Sequence, residues 1–232
     1  MITVRKSDER GKTKIGWLDS RHSFSFGDYY DPGHESFGPL RVINEDWIAG
    51  GAGFPPHSHQ DMEIVTYILE GAIAHRDSTG GGGTIRPGEV QRMSAGAGVV
   101  HSEFNAFSNQ PCHLLQIWIM PSKTGIPPSY EQKTIDAKAV QNHFGRIAAP
   151  DPVGSEVRLV QDAEIWVARL DAEIEAIRPL RPGRKAWLQV AKGEVTLNEQ
   201  TLTAGDAAAI SDQDQIAVKS NKPSELLLFD MA

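Results

Sequence analysis

Cys112 is the only cysteine in 232 residues, which excludes an intrachain disulfide. No stretch is rich in lysine or arginine and the net charge is −7. The clustered cations that displace counterions from a duplex are therefore missing, and direct nucleic-acid binding is not expected. No apolar run approaches the ~20 residues of a membrane-spanning helix. Residues 1–14 lack the apolar stretch of a secretory leader. These absences lead to the expectation of a cytoplasmic protein, with neither nucleic acid nor membrane among its partners. Two further absences concern the fold and its chemistry. Residues 40–120 contain no apolar stripe of helical period, and no histidine follows His143.

What is present reads as an all-β protein. Apolar residues make up 40% of the chain, enough for a real core, and 22 glycines and 14 prolines fall between short apolar runs. Strands are expected over Leu40–Asn44, Met62–Leu69 and Leu114–Met120, separated by Gly71, the Gly80–Gly83 run, Pro87-Gly88 and Gly96/Gly98. Gly80–Gly83 is read as a flexible hairpin tip, since no helix follows to make it a phosphate cradle. A short helix is expected within Ile135–Phe144, and Ala149–Ser155 is turn-rich. A second strand-rich block from Glu164 repeats the pattern of the first. Glu70-Gly71 and Pro87-Gly88-Glu89 correspond to Lys192-Gly193 and Ala204-Gly205-Asp206. The expected organisation is an N-terminal metal-binding domain (1–135), a linker (136–160) and a C-terminal copy (161–232) without metal ligands.

His57 and His59 are two residues apart, as are His101 and Glu103. Side chains at i and i+2 leave the same face of a strand, so each pair presents two ligands together. Two such strands facing each other across a barrel would surround one point with three imidazoles and a carboxylate. That donor set suits one divalent transition metal per chain (Fe(II), Cu, Mn, Ni, Co or Zn) and disfavours Ca. The other histidines read more blandly. His75 borders a polar hairpin and is expected to be solvated, and His22, His34 and His143 default to the surface. His113 alternates with apolar residues and is expected to be structural. Cys112 reads as a small buried hydrophobe, because no flanking cation would lower its pKa. The sequence leaves open whether Phe24, Phe26, Tyr29 and Tyr30 pack the core or line a pocket for a planar aromatic ligand.

The surroundings of these pairs resemble the two cupin motifs. Gly51, His57-x-His59, Glu63 and Gly71 correspond to the first, and Gly98-x-x-His101-x-x-x-Asn105 to the second. The closing glycine falls one position late and Gly96 stands where a proline is usual, departures that fit the pirin branch. Ser23 to Pro32, Phe37 to Val42, Met93-Ser94-Ala95-Gly96-x-Gly98 and Leu115 to Ile119 also resemble the pirin family over residues 1 to about 135. The resemblance implies two tandem cupin barrels. Its metal ligands map onto His57, His59, His101 and Glu103, so Glu63 is left outside the ligand set, as a supporting or rim residue.

Two functions follow from the resemblance. Bacterial members resemble quercetin 2,3-dioxygenases, which open the central ring of a flavonol with O2 and release carbon monoxide. In this reading Glu103 is both ligand and catalytic base, and the metal is Fe(II) ahead of the others. Eukaryotic pirins instead look like iron-containing regulators that act by protein contact, which would make this chain a non-enzymatic binding or redox-responsive module. An isomerase on the same fold is weaker, because the strands carry no Arg/Lys set for a phosphate. We take the dioxygenase reading forward.

Overall fold

Alternating apolar residues and glycine-bounded turns produce strands over most of the chain. The structure, a computed structural model, describes every residue from Met1 to Ala232. Its single α-helical turn, Ala137–Val140, lies within the expected segment, and the Asp136 side chain caps it by accepting from the Lys138 N–H. No helix is long and apolar enough to cross a membrane.

The chain divides into two compact units, one of residues 11–135 with 157–161, the other of 1–10, 136–156 and 162–232. The first ten residues therefore belong with the C-terminal half, whereas the sequence reading groups them with the first 135. The cause is a strand pairing: Ile2–Arg5 runs antiparallel to Ala207–Ile210. Both units are built of antiparallel β-sheet, as expected, but their sheets are open-ended and not closed into barrels.

In the N-terminal unit a nine-stranded sheet is organised around two long antiparallel strands, Gly53–Glu70 and Glu89–Asn105. Gly53–Glu70 pairs with Glu89–Asn105 along most of its length, and its second half also pairs with Cys112–Ile119. Ile64, Met93, Ala95 and Val99 form one core cluster; Ile48, Ile68, Ile73, Ile85, Cys112 and Leu114 are in another. Phe24 is also buried, whereas Tyr30 is exposed. Cys112 is fully buried, and that burial pushes its thiol up to about 12, as a small inert hydrophobe requires. Gly82 and Gly83 belong to the return strand Gly82–Ile85, so only the first half of the glycine run is a turn.

The C-terminal unit builds one core from two sheets, with Leu188, Val190, Leu226 and Leu228 on one and Val195, Leu197, Ile216 and Val218 on the other. Its likeness to the first unit extends to backbone conformation. Gly71 and Gly193 both adopt a left-handed φ, 78° and 86°. A Cβ at either would lie 2.9 Å from the Pro111 carbonyl or 2.3 Å from Ser224 Oγ, so only glycine fits.

Candidate metal centre

His57 and His101 are direct cross-strand partners in the antiparallel ladder between Gly53–Glu70 and Glu89–Asn105. The i, i+2 spacing predicts the two ligand pairs on strands facing each other across a barrel. They lie instead on hydrogen-bonded neighbours, where cross-strand side chains come closest. Ring centroids are 4.4 Å apart for His57–His101, 4.7 Å for His57–His59 and 4.8 Å for His59–His101. One nitrogen from each of the three lies within 4.8 Å of the other two, a set that can hold a metal ion.

The hydrogen bonding suits metal binding. His57 Nδ1 donates to the Pro55 carbonyl at 2.8 Å, which leaves Nε2 with its lone pair. His101 Nε2 is buried and has no protein partner, a costly arrangement for a ring nitrogen unless something else satisfies it. Burial, reinforced by the neighbouring imidazoles, pushes His59 down to about 4 and His101 down to about 3. Both are therefore neutral at physiological pH, the state in which imidazole ligates.

Glu103 lies two residues beyond His101 on the same strand and is buried. Gln116 Nε2 donates to its Oε2 at 2.8 Å, and the Thr66 hydroxyl, 3.4 Å from its Oε1, lies 2.9 Å from Gln116 Oε1 as well. Burial raises its pKa, opposed by His75 and these two donors. Its carboxylate groups within 4.8 Å with His75 and His101, a second potential ligand set that shares His101 with the first.

Two histidines expected at the surface are buried, and both expectations are corrected. His75 is 1% exposed, bonded to Asp77 at 3.1 Å and stacked on Tyr130, with its Nδ1 3.4 Å from His101 Nδ1. Its strand, Ile73–Asp77, pairs with the His101–Asn105 end of the long strand, which carries it inward. His75-x-Asp77 is a third i, i+2 pair of ligand-type residues, a signal of the same kind as the other two. His22 is 2% exposed on the strand Leu18–His22, between Asn44 and Thr13. His34 and His143 are outside the site, and His113 is bonded to Glu45 and stacked on Trp47.

Glu63 is fully buried yet faces away from the histidines. Asp61 takes a φ of 63° and the ladder slips between His59 and Asp61. This bulge reverses which face successive residues occupy. Thr66 now reaches Glu103, whereas Glu63 accepts from the Val160 N–H at 3.1 Å. Glu63→Gln should therefore leave metal content unchanged. His75→Ala, by contrast, should lower metal affinity roughly 10- to 100-fold, the usual cost of losing a residue that orients a ligand. Metal titration of both variants checks the pair.

A cavity of about 430 Å³ opens beside the cluster, within the range of small-molecule sites. Leu18, Phe26, Phe54 and Trp118 make its apolar walls, and His57, His59 and Glu103 also reach it. Of the aromatic residues left undecided by the sequence, Phe26 lines this space, with its ring edge-on to Trp118 at 5.4 Å.

Comparison with known proteins agrees with this architecture. The Pirin family model matches residues 3–119, and a model described as a quercetinase C-terminal cupin domain matches residues 146–231. The chain is 45% identical to quercetin 2,3-dioxygenase of Escherichia coli K12, covering 100% of this chain and 99% of that protein. A crystal structure of the bacterial pirin YhhW from E. coli in complex with nickel(II) superposes with a TM-score of 0.94 at 43% identity. It covers 100% of this chain and 99% of that one. A quercetin 2,3-dioxygenase from Acinetobacter baumannii shares the fold, with a TM-score of 0.74 at 23% identity over 95% of this chain and 83% of that one.

Proposed function

The chain belongs to the pirin family, and on that premise we propose that it is a ring-cleaving dioxygenase. It opens the central ring of a flavonol such as quercetin with O2 and releases carbon monoxide. One divalent metal, Fe(II) in our assignment, is held by His57, His59, His101 and Glu103. The observation that carries this reading is the meeting of a three-imidazole cluster, its His101 Nε2 without a protein partner, with an apolar-walled cavity. Relatives named quercetin 2,3-dioxygenase at 45% identity over the full chain support the substrate class.

When bound, a divalent metal supplies a Lewis acid that favours deprotonation of a ligated hydroxyl and fixes its orientation. The protein does the rest. Phe26, Phe54 and Trp118 present ring faces and edges to a planar substrate and keep water away from it. Glu103 takes the proton of the flavonol 3-hydroxyl on a carboxylate oxygen. Gln116 Nε2 donates to its Oε2 and holds its orientation.

The test is anaerobic reconstitution with Fe(II), Cu, Mn, Ni, Co or Zn, then addition of O2 and quercetin with carbon monoxide as the readout. Carbon monoxide released in step with quercetin loss is the expected result; none with any metal would sink the reading. Stoichiometry is a separate expectation. Both potential ligand groups lie in the N-terminal unit and share His101, so purified protein should contain one transition metal per chain. Elemental analysis returning close to two ions would overturn it.

A further inference from the structure

Besides its apolar walls, the cavity is lined by polar residues that the metal centre does not use. Ser20 and His22 on Leu18–His22, and Asn44 and Asp46 on Leu40–Ile48, all line it and are all at most 4% exposed. Ser20 pairs with Asp46 and His22 with Asn44 across the ladder, so the four form a two-by-two patch on one face. On the other side Asn44 pairs with Gln116, the donor to Glu103. The patch therefore begins one ladder step, about 4.8 Å, from the residue that holds Glu103.

Within the patch, hydrogen bonds use only half of what Asp46 and Asn44 offer. The Ser20 hydroxyl donates to Asp46 Oδ1, and no protein group donates to Oδ2. His22 Nδ1 donates to Asn44 Oδ1 at 2.7 Å while the Thr13 hydroxyl donates to His22 Nε2 at 2.9 Å. That chain of bonds fixes the Asn44 amide with its NH2 unused. A carboxylate oxygen and an amide donor without protein partners, on residues that line an open cavity, are positioned to pair with a ligand held there. Burial raises Asp46 to about 7, with Glu103 and Glu45 adding to it against the Ser20 bond.

We propose that Asp46 and Asn44 form a hydroxyl-recognition subsite that selects polyhydroxylated aromatic substrates. Asp46 Oδ2 accepts from a phenolic O–H other than the hydroxyl at the metal centre, and the Asn44 amide donates to that oxygen or its neighbour. The proposal rests on the flavonol reading and deepens it: a flavonol carrying hydroxyls on its outer rings is preferred over one without them. A site built to bond a hydroxyl discriminates strongly against an analogue lacking it, because its own polar groups are then left unpaired.

Binding separates this subsite from catalysis. Metal-loaded wild type, Asp46→Asn and Asn44→Asp are titrated with quercetin and with 3-hydroxyflavone, which lacks the outer-ring hydroxyls. Quenching of tryptophan fluorescence is the signal, since Trp118 lines the cavity. Metal content is measured for each protein, so that affinities are compared at equal occupancy. Wild type should prefer quercetin, and the preference should fall roughly 10-fold in Asp46→Asn, the loss of one hydrogen bond to a buried carboxyl group. Asn44→Asp, which turns the donor into an acceptor, should reduce it in the same direction. A preference unchanged in both variants, or no preference in wild type, would overturn the subsite. Selective binding without carbon monoxide release would leave the subsite standing and remove only the dioxygenase reading. Wild type that binds neither flavonol would overturn both.

Discussion

Replacing His101 with Ala is expected to abolish metal binding and, with it, flavonol turnover. His101 is common to both potential ligand groups, so no alternative set of three survives its removal. The loss of affinity should exceed the roughly 10- to 100-fold expected for His75→Ala, because His75 belongs to only one of the two groups. The fold should persist. Ile64, Met93, Val99 and the cluster around Ile68 supply the core, and His101 Nε2 makes no protein hydrogen bond to lose. Elemental analysis, together with thermal unfolding of the metal-free proteins, reads both halves of the expectation. His143→Ala, at an exposed position, is the control and should bind metal normally. Full metal occupancy in His101→Ala would refute the ligand assignment.

Glu103→Gln separates metal holding from proton transfer. Gln keeps the size of the side chain and an oxygen donor, but it cannot take up a proton from a phenol. Metal affinity should fall only partly, while carbon monoxide release at equal metal occupancy should fall about 10²- to 10⁴-fold, the usual contribution of a general base. The amide also disturbs the pairing with Gln116, whose Nε2 now donates to a carboxylate oxygen. Gln116→Ala therefore belongs in the same experiment. If a misplaced side chain explained the loss, Gln116→Ala would reproduce most of it; if the lost base explains it, Gln116→Ala should be much milder. Wild-type turnover by metal-loaded Glu103→Gln would remove the base role.

The candidate site was partly legible in the sequence because its geometry is local. Residues two apart on a strand share a face whatever the rest of the chain does, so the grouping of His57 with His59 could be read directly. His75 escaped because its burial comes from elsewhere: the Ile73–Asp77 strand pairs with the His101–Asn105 segment, 26 residues after His75. Treating the third i, i+2 pair, His75-x-Asp77, like the first two would have found it. Glu63 shows the opposite limit. It keeps the parity of His57 and His59 in sequence, yet the bulge at Asp61 turns it to the other face. Parity arguments hold only along an unbroken ladder.

The sequence by itself determined the all-β class, the two-unit plan and the pairs of ligand-type side chains. Each of these depends on short-range periodicity and on glycines at turns that only glycine tolerates. Tertiary structure alone decided that the His57/His59 and His101/Glu103 pairs meet on neighbouring strands and that residues 1–10 join the C-terminal unit. It alone also set Asp46, Asn44 and Phe26 around one cavity. Those outcomes depend on which strands pair and in what register, and pairing is settled by long-range burial across the whole core, which no local pattern encodes.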